Sequence, residues 1–91
     1  MTKSYAEAEN ELREAVWLDP NTAIVHSDLA DVLAQKGKDE EAKEQYGVAH
    51  RIDPNLDVAN LGLGMISARN GDVVSSRNYC EAAARSNDIR E

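Results

Sequence analysis

One stretch decides the fold: residues 19–54 read DPNTAIVHSDLADVLAQKGKDEEAKEQYGVAHRIDP. It opens with Asp19-Pro20-Asn21, and the same tripeptide returns 34 positions later as Asp53-Pro54-Asn55. Gly37 and Gly71 are separated by the same interval. A fixed interval of this length indicates a chain built from repeated structural units.

Other positions keep the same interval, in columns too numerous for chance to be a good explanation. They hold mainly small or apolar residues, the types that fill contacts between helices. The columns are Ala15, Ala49 and Ala83; Leu29 and Leu63; Ala34 and Ala68; Ala8, Ala42 and Ser76; Leu12, Tyr46 and Cys80; Leu18 and Ile52.

Each period contains two helices that are separated by proline and glycine. Pro20 and Pro54 end one helix, because proline restricts the residue before it and has no backbone N–H to donate. Gly37 and Gly71 end the next helix, since glycine is favoured just past a helix terminus. Short connections make consecutive helices antiparallel. The sequence predicts helices near residues 5–18, 22–36, 39–52, 56–70 and 73–86.

Polar residues mark the predicted helix starts. Ser4 and Glu7 have the spacing of a capping box before the first helix. Asn21, Asn55 and Asp72 are suitable N-terminal caps for later helices.

The repeated unit resembles the tetratricopeptide repeat, whose pattern combines large and small residues with Ala-x-x-x-aromatic and a proline. The middle copy reads His26-x-x-Leu29-Ala30-x-x-Leu33, then Ala42-x-x-x-Tyr46, Ala49 and Pro54. Its unusual residue is His26, where the family has a large apolar side chain. The third copy is degraded and reads Asn60-x-x-Leu63-Gly64-x-x-Ser67, then Ser76-x-x-x-Cys80 and Ala83.

The resemblance implies an all-α fold, a solenoid of antiparallel helix pairs that forms one domain over residues 1–91. It divides the chain into a half repeat at 1–20, a full repeat at 21–54 and a degraded C-terminal repeat or cap at 55–91. The half repeat lacks the helix that should precede it. We therefore expect a partly uncovered first helix, with Tyr5, Leu12, Val16 and Trp17 on its open side.

Two explanations of the missing helix remain open. The chain is either a segment of a longer scaffold or a unit whose open face is closed by a second copy, as a homodimer.

Charge limits the classes of partner. The formal net charge is -7, and the acidic excess lies in the first half of the chain. This argues against a nucleic-acid partner and against an anionic membrane surface. It permits a basic protein partner, although solubility alone also explains it. No apolar run reaches the roughly 20 residues that span a bilayer, so a cytoplasmic location is the default expectation, unless a signal lies outside this chain.

The residue pattern offers no catalytic, cofactor or metal site, and we expect no enzyme activity. Gly62-Leu63-Gly64 lacks the further glycine of a dinucleotide loop and is interpreted as helix packing. His26 and His50 fall in columns that face other helices, so both are predicted to be core or boundary residues. Cys80 shares a column with Leu12 and Tyr46 and is predicted to be a small buried apolar residue.

The resemblance also implies a binding surface, because the first helix of each pair lines a concave groove in that family. The expected lining is Ile24, Ser27, Asp28, Asp31 and Gln35 from one helix, and Val58, Leu61, Gly62, Met65 and Arg69 from the next. One wall would then be acidic and the other apolar. A peptide with apolar anchors and a basic group would suit such a groove; alternatively, the surface is merely solvated and has no ligand of its own.

A subfamily of these repeats clamps the C-terminal carboxylate of chaperones with Lys, Asn and Arg. Here Asp28 and Asp31 stand on that face with Arg69 as the only cation, so binding of such a tail is disfavoured.

Trp17 is a second candidate contact residue. It occupies the column of Arg51 and Arg85, which indicates an outward orientation. Exposed tryptophan is common at the centre of protein interfaces. The alternative is a tryptophan that folds over the helix end or simply lies on the surface.

Overall fold

The computed structural model describes the backbone of residues 4–88 and the side chains of residues 4–85. Over this part of the chain the fold is all-α, as predicted, and adjacent helices pack in a repeat-like arrangement. The predicted helix boundaries are correct to within two residues. The elements are α1 (Tyr5–Leu18), α2 (Ala23–Gln35), α3 (Asp39–Ile52), α4 (Asp57–Arg69) and α5 (Val73–Asp88).

Glycine ends α2 and α4 in the same way. Gly37 and Gly71 have backbone φ angles of 81° and 82°, in the left-handed region where a side chain is unfavourable. The N–H of Lys38 then donates to the carbonyl of Leu33 at 2.9 Å, and that of Asp72 donates to Ser67 at 2.8 Å. These bonds satisfy carbonyls at the helix end and reverse the chain, which confirms the predicted role of both glycines.

Two of the predicted caps are confirmed. Ser4 Oγ accepts the backbone N–H of Glu7 at 3.2 Å. Asp72 Oδ1 accepts the N–H of Ser75 at 3.1 Å.

The prediction that Asn21 and Asn55 cap their helices is wrong. The N-cap positions of α2 and α4 are Thr22 and Leu56, and neither makes a side-chain cap bond. Both asparagines belong instead to the preceding turn, where the Asp of the tripeptide accepts their backbone N–H. These Asp-to-Asn bonds measure 3.2 Å in the first turn and 3.1 Å in the second.

A buried polar side chain ties each of these turns to the next helix. His26 Nε2 donates to the carbonyl of Pro20 at 2.7 Å, and Asn60 Nδ2 donates to the carbonyl of Pro54 at 3.2 Å. His26 and Asn60 are one period apart, so the unusual histidine has an equivalent in the next repeat. His26 Nδ1 also contacts Gln45 Oε1 at 2.7 Å. The interpretation of His26 as a core residue is confirmed.

The core lies where α2, α3 and α4 meet. Small residues let the helix backbones approach closely, and larger residues fill the gaps between them. Ala42 and Ala49 on α3 are fully buried. The core comprises Leu29, Ala30, Leu33, Ala42, Tyr46, Ala49, Ala59, Leu63 and Ile66.

The prediction that Cys80 is buried is wrong, because its side chain is exposed. Its equivalent one period earlier, Tyr46, is covered by α4. Cys80 lies on α5, which no later helix covers within the described residues. Its Sγ instead lies over Gly64, where an added Cβ would come within 2.9 Å of it.

Ion pairs connect α1 to the turn after α2, a feature that the sequence did not predict. The Glu9 side chain is 11% exposed. Its carboxylate contacts Lys36 Nζ at 2.6 Å, Arg13 Nε at 2.8 Å and Lys38 Nζ at 3.8 Å. The hydrogen bond from Lys36, followed by that from Arg13, lowers the pKa of Glu9 to about 2. Arg13 also reaches Glu41 on α3 at 3.1 Å.

Replacing Ala42 or Ala49 with Leu should destabilise the fold by about 1–3 kcal/mol, because added methylenes overpack a filled core. Ala68→Leu is the matched control, since Ala68 is exposed on α4, and it should change stability by less than about 0.5 kcal/mol. Urea unfolding measures all three variants. Equal stability of the core variants and the control would contradict the placement of the core.

Glu9→Gln should make the free energy of unfolding less dependent on pH in the acidic range. The pKa of Glu9 is lower in the folded chain than its usual value of 4.5. The stabilisation from its ionised form is therefore complete above about pH 4.5 and is lost as the pH falls towards 2.

The wild type should accordingly lose more stability than Glu9→Gln between pH 6 and pH 3, in urea unfolding at several pH values. Glu14→Gln, at an exposed position of the same helix, should show the same dependence of stability on pH as the wild type. Parallel pH profiles for all three proteins would show that the Glu9 ion pairs do not hold α1.

Candidate functional site

A pocket of about 370 Å³ opens between α2 and α4, with one residue of α3 at its floor. We call it the α2–α4 groove. Its lining residues are Asp31, Ala34, Gln35, Tyr46, Val58, Leu61, Gly62, Met65, Ile66 and Arg69.

Tyr46 forms the floor of the groove. Its ring is almost completely buried and lies against the backbone of Gly62, so closely that a Cβ atom at Gly62 would overlap the ring. Its hydroxyl donates a hydrogen bond to Asp31 Oδ1. Burial, with the bond to Asp31 as a second cause, raises the pKa of Tyr46. One side chain of α3 therefore sets the distance between α4 and the acidic side of α2.

The two glycines of Gly62-Leu63-Gly64 lie inside α4 and permit close contacts with its neighbours. Gly62 faces the Tyr46 ring of α3. Gly64 faces α5, where an added Cβ would come within 3.3 Å of the Ser76 carbonyl oxygen. The interpretation of this tripeptide as packing is confirmed.

The apolar wall of the groove is one stripe of α4. Val58, Leu61 and Met65 follow helical spacing, so their side chains share a face. All three are exposed, and Met65 is 61% exposed. These apolar side chains are therefore accessible to a partner while α4 remains folded.

The acidic side of the groove comes from α2. Asp31 lines the groove, and Asp28 lies one helical turn before it. Partial burial, with the negative charge of Asp31 as a second cause, raises the pKa of Asp28. Among the described residues, no cation lies within ion-pair distance of either carboxylate.

Arg69 lines the groove at the C-terminal end of α4, where it is paired with Asp39 of α3. Its Nη2 lies 2.8 Å from Asp39 Oδ1, and its Nε lies 3.2 Å from Asp39 Oδ2. This two-bond geometry orients the guanidinium and offsets its charge. An incoming carboxylate would compete with Asp39 for it.

The structure brings seven of the ten expected lining residues together in the groove and leaves Ile24, Ser27 and Asp28 outside its lining. The seven are Asp31, Gln35, Val58, Leu61, Gly62, Met65 and Arg69. Asp28 and Ile24 are exposed on earlier turns of α2.

Ser27 is fully buried, so its predicted place on the groove surface is wrong. It lies on the same helical face as Ala30, which is also fully buried in the core.

Trp17 lies apart from the groove. The residue is 83% exposed, which confirms the predicted outward orientation. Leu18 beside it is also exposed, as is Tyr5 at the other end of α1. Leu12 and Val16 are half-buried against the core. The role of Trp17 as a contact residue stays a prediction.

Sequence reasoning assigned Tyr46 to the core and missed its part in the groove. The available signal was the glycine at position 62, in a helix that must approach a large aromatic side chain of the preceding helix. The sequence does not say which helix face that aromatic ring meets, so the pairing of Tyr46 with Gly62 could not be derived.

No protein-family model matches this chain, and a search of curated proteins finds no match. The tetratricopeptide assignment therefore stays an inference from the repeat pattern. Within residues 4–88, no helix is long and apolar enough to cross a membrane. The same residues contain no cluster of three His, Cys, Asp or Glu side chains that could hold a metal ion.

Replacing Gly62 with Ala should destabilise the fold, because the new methyl group would displace the Tyr46 ring and break its bond to Asp31. Gly47→Ala is the matched control, since an added Cβ there would meet nothing closer than 4.0 Å. That control should stabilise the chain by about 0.5–1 kcal/mol through helix propensity.

Thermal and urea unfolding compare the two variants. Equal stabilisation by both would show that the Tyr46 ring does not lie against Gly62.

Proposed function

We propose that this chain is a protein-interaction module of the tetratricopeptide type, which binds a polypeptide segment in the α2–α4 groove. The 34-residue period and the repeat-like packing of adjacent helices support the family assignment. The groove lies between the first helices of two consecutive pairs, the position that the resemblance implies for a ligand. A solenoid of the same kind would continue this surface if further repeats adjoined it.

The observation that carries the proposal is the exposed apolar stripe of Val58, Leu61 and Met65 beside polar groups. Ligand sites are typically concave surfaces in which apolar walls supply binding energy and a few polar groups supply orientation. Here the polar groups are Asp31 and Gln35 on the facing helix. The volume of about 370 Å³ suits one or two side chains of an extended segment better than a whole helix.

A second candidate function uses the open face of α1. Trp17 and Leu18 are 83% and 75% exposed. Within residues 4–88, α2 is the helix whose backbone lies close to α1. Two neighbouring large apolar side chains with so little cover are suited to an interface. The chain would then be a scaffold segment or would associate with a second copy, and it would need no ligand in the groove.

Selection from a phage-displayed peptide library tests the proposal. Peptides selected by the wild type should lose at least about tenfold in affinity for Met65→Glu, because the new charge stands in the apolar wall. Asn78→Glu adds the same charge at an exposed position on α5 and should leave affinity unchanged. Isothermal titration calorimetry with the synthesised peptides measures their dissociation constants.

Trp17→Ala distinguishes the two candidate functions. Peptides that bind Met65→Glu normally but lose affinity for Trp17→Ala would move the binding site to α1 and contradict the groove proposal. Sedimentation velocity at increasing protein concentration tests self-association separately, since a homodimer through the open face of α1 should also be weakened by Trp17→Ala.

A further inference from the structure

The charges of the α2–α4 groove do not balance. Asp31 lines the groove and Asp28 stands one turn away, and neither has a cationic partner among the described residues. The positive charge of Arg69 is offset by Asp39 at 2.8 Å. The groove therefore presents excess negative charge at the side of α2, beside the apolar wall of α4.

We propose that the α2–α4 groove is a subsite for one lysine or arginine side chain of the bound segment, whose aliphatic part lies along Leu61 and Met65 and whose cationic end reaches Asp31. This inference rests on the proposed function and specifies the partner by its chemistry. Lysine and arginine characteristically bury their methylene groups on apolar surface while the charged end stays at a polar rim.

The geometry of Asp31 fits this role. One of its carboxylate oxygens, Oδ1, accepts the hydroxyl of Tyr46, which holds the carboxylate in place. Its other oxygen makes no hydrogen bond within the described residues, and it is available to a donor from outside the chain. A carboxylate that is already oriented loses less conformational freedom when it binds a cation than a freely rotating one.

The perturbed carboxylate of Asp28 supports the same conclusion. Its pKa is raised by partial burial and then by the charge of Asp31, which means that its environment does not compensate its own charge. A cation placed at this side of the groove would offset the negative charge that raises the pKa of Asp28.

An acidic or C-terminal carboxylate anchor fits the groove poorly. It would face Asp31 and Asp28, and it would have to separate Arg69 from Asp39, which hold each other through two hydrogen bonds. The neutral apolar side chain remains the main competitor, because it would use the same wall of α4.

The test uses four peptides, Ac-Leu-Ala-X-Ala-Leu-amide, with X as lysine, arginine, norleucine or glutamate. Each is titrated into the ¹⁵N-labelled full chain while the backbone amides are followed by NMR. The lysine and arginine peptides should shift the amides of Asp31, Leu61 and Met65. They should bind about two- to fivefold more tightly than the norleucine peptide, the range expected for an exposed ion pair, and the glutamate peptide should bind most weakly.

Three variants isolate the charge effect. Asp31→Asn keeps an acceptor for the Tyr46 hydroxyl but removes the charge, so it should abolish the preference for lysine and arginine over norleucine. Asp39→Asn removes the ion-pair partner of Arg69. It should therefore reduce the difference in affinity between the lysine peptide and the glutamate peptide. Glu44→Gln removes a charge at an exposed position of α3 outside the groove and should change none of these ratios.

The outcomes separate the two proposals. If norleucine binds as tightly as lysine, or if the preference survives Asp31→Asn, the cation subsite is wrong while binding in the groove stands. If no peptide shifts the groove amides, or if the shifts fall on Trp17 and Leu18 instead, both proposals are wrong.

Discussion

The contact between the Tyr46 ring and the backbone of Gly62 is the constraint on which the rest of the molecule depends. It lets α3 and α4 approach closely, and it places the ring in the core that both helices share with α2. The hydroxyl of the same side chain holds Asp31, so the packing of the core also orients the acidic side of the groove. A smaller residue at position 46 or a larger one at position 62 would alter core and groove together.

After each of the two Asp-Pro-Asn turns, a polar residue occupies a repeat position that is usually apolar. His26 and Asn60 stand where the resembled repeat has a large apolar residue, and each binds the proline carbonyl of the turn before it. His26 and Asn60 are buried, and a buried side-chain donor without a partner would be costly. The hydrogen bond from this side chain therefore satisfies the proline carbonyl and holds the turn against the first residues of the next helix.

Proline and glycine made the helix boundaries predictable, because Pro20, Pro54, Gly37 and Gly71 act on the backbone locally. The groove was predictable in part, since helical spacing places Leu61 and Met65 on one face without knowledge of their neighbours. Ser27 was misplaced because its burial depends on the helices that cover it. The burial of Cys80 was predicted wrongly because the repeat pattern does not show which helix is the last one to be covered by another.

The most direct test of binding in the α2–α4 groove is a measurement of intermolecular nuclear Overhauser effects between the chain and a segment selected for binding to it. Contacts from the segment to the methyl groups of Leu61 and Met65, with none to Trp17, are the expected result. Contacts to Trp17 and Leu18 with none to Leu61 or Met65 would contradict the groove and place recognition on α1.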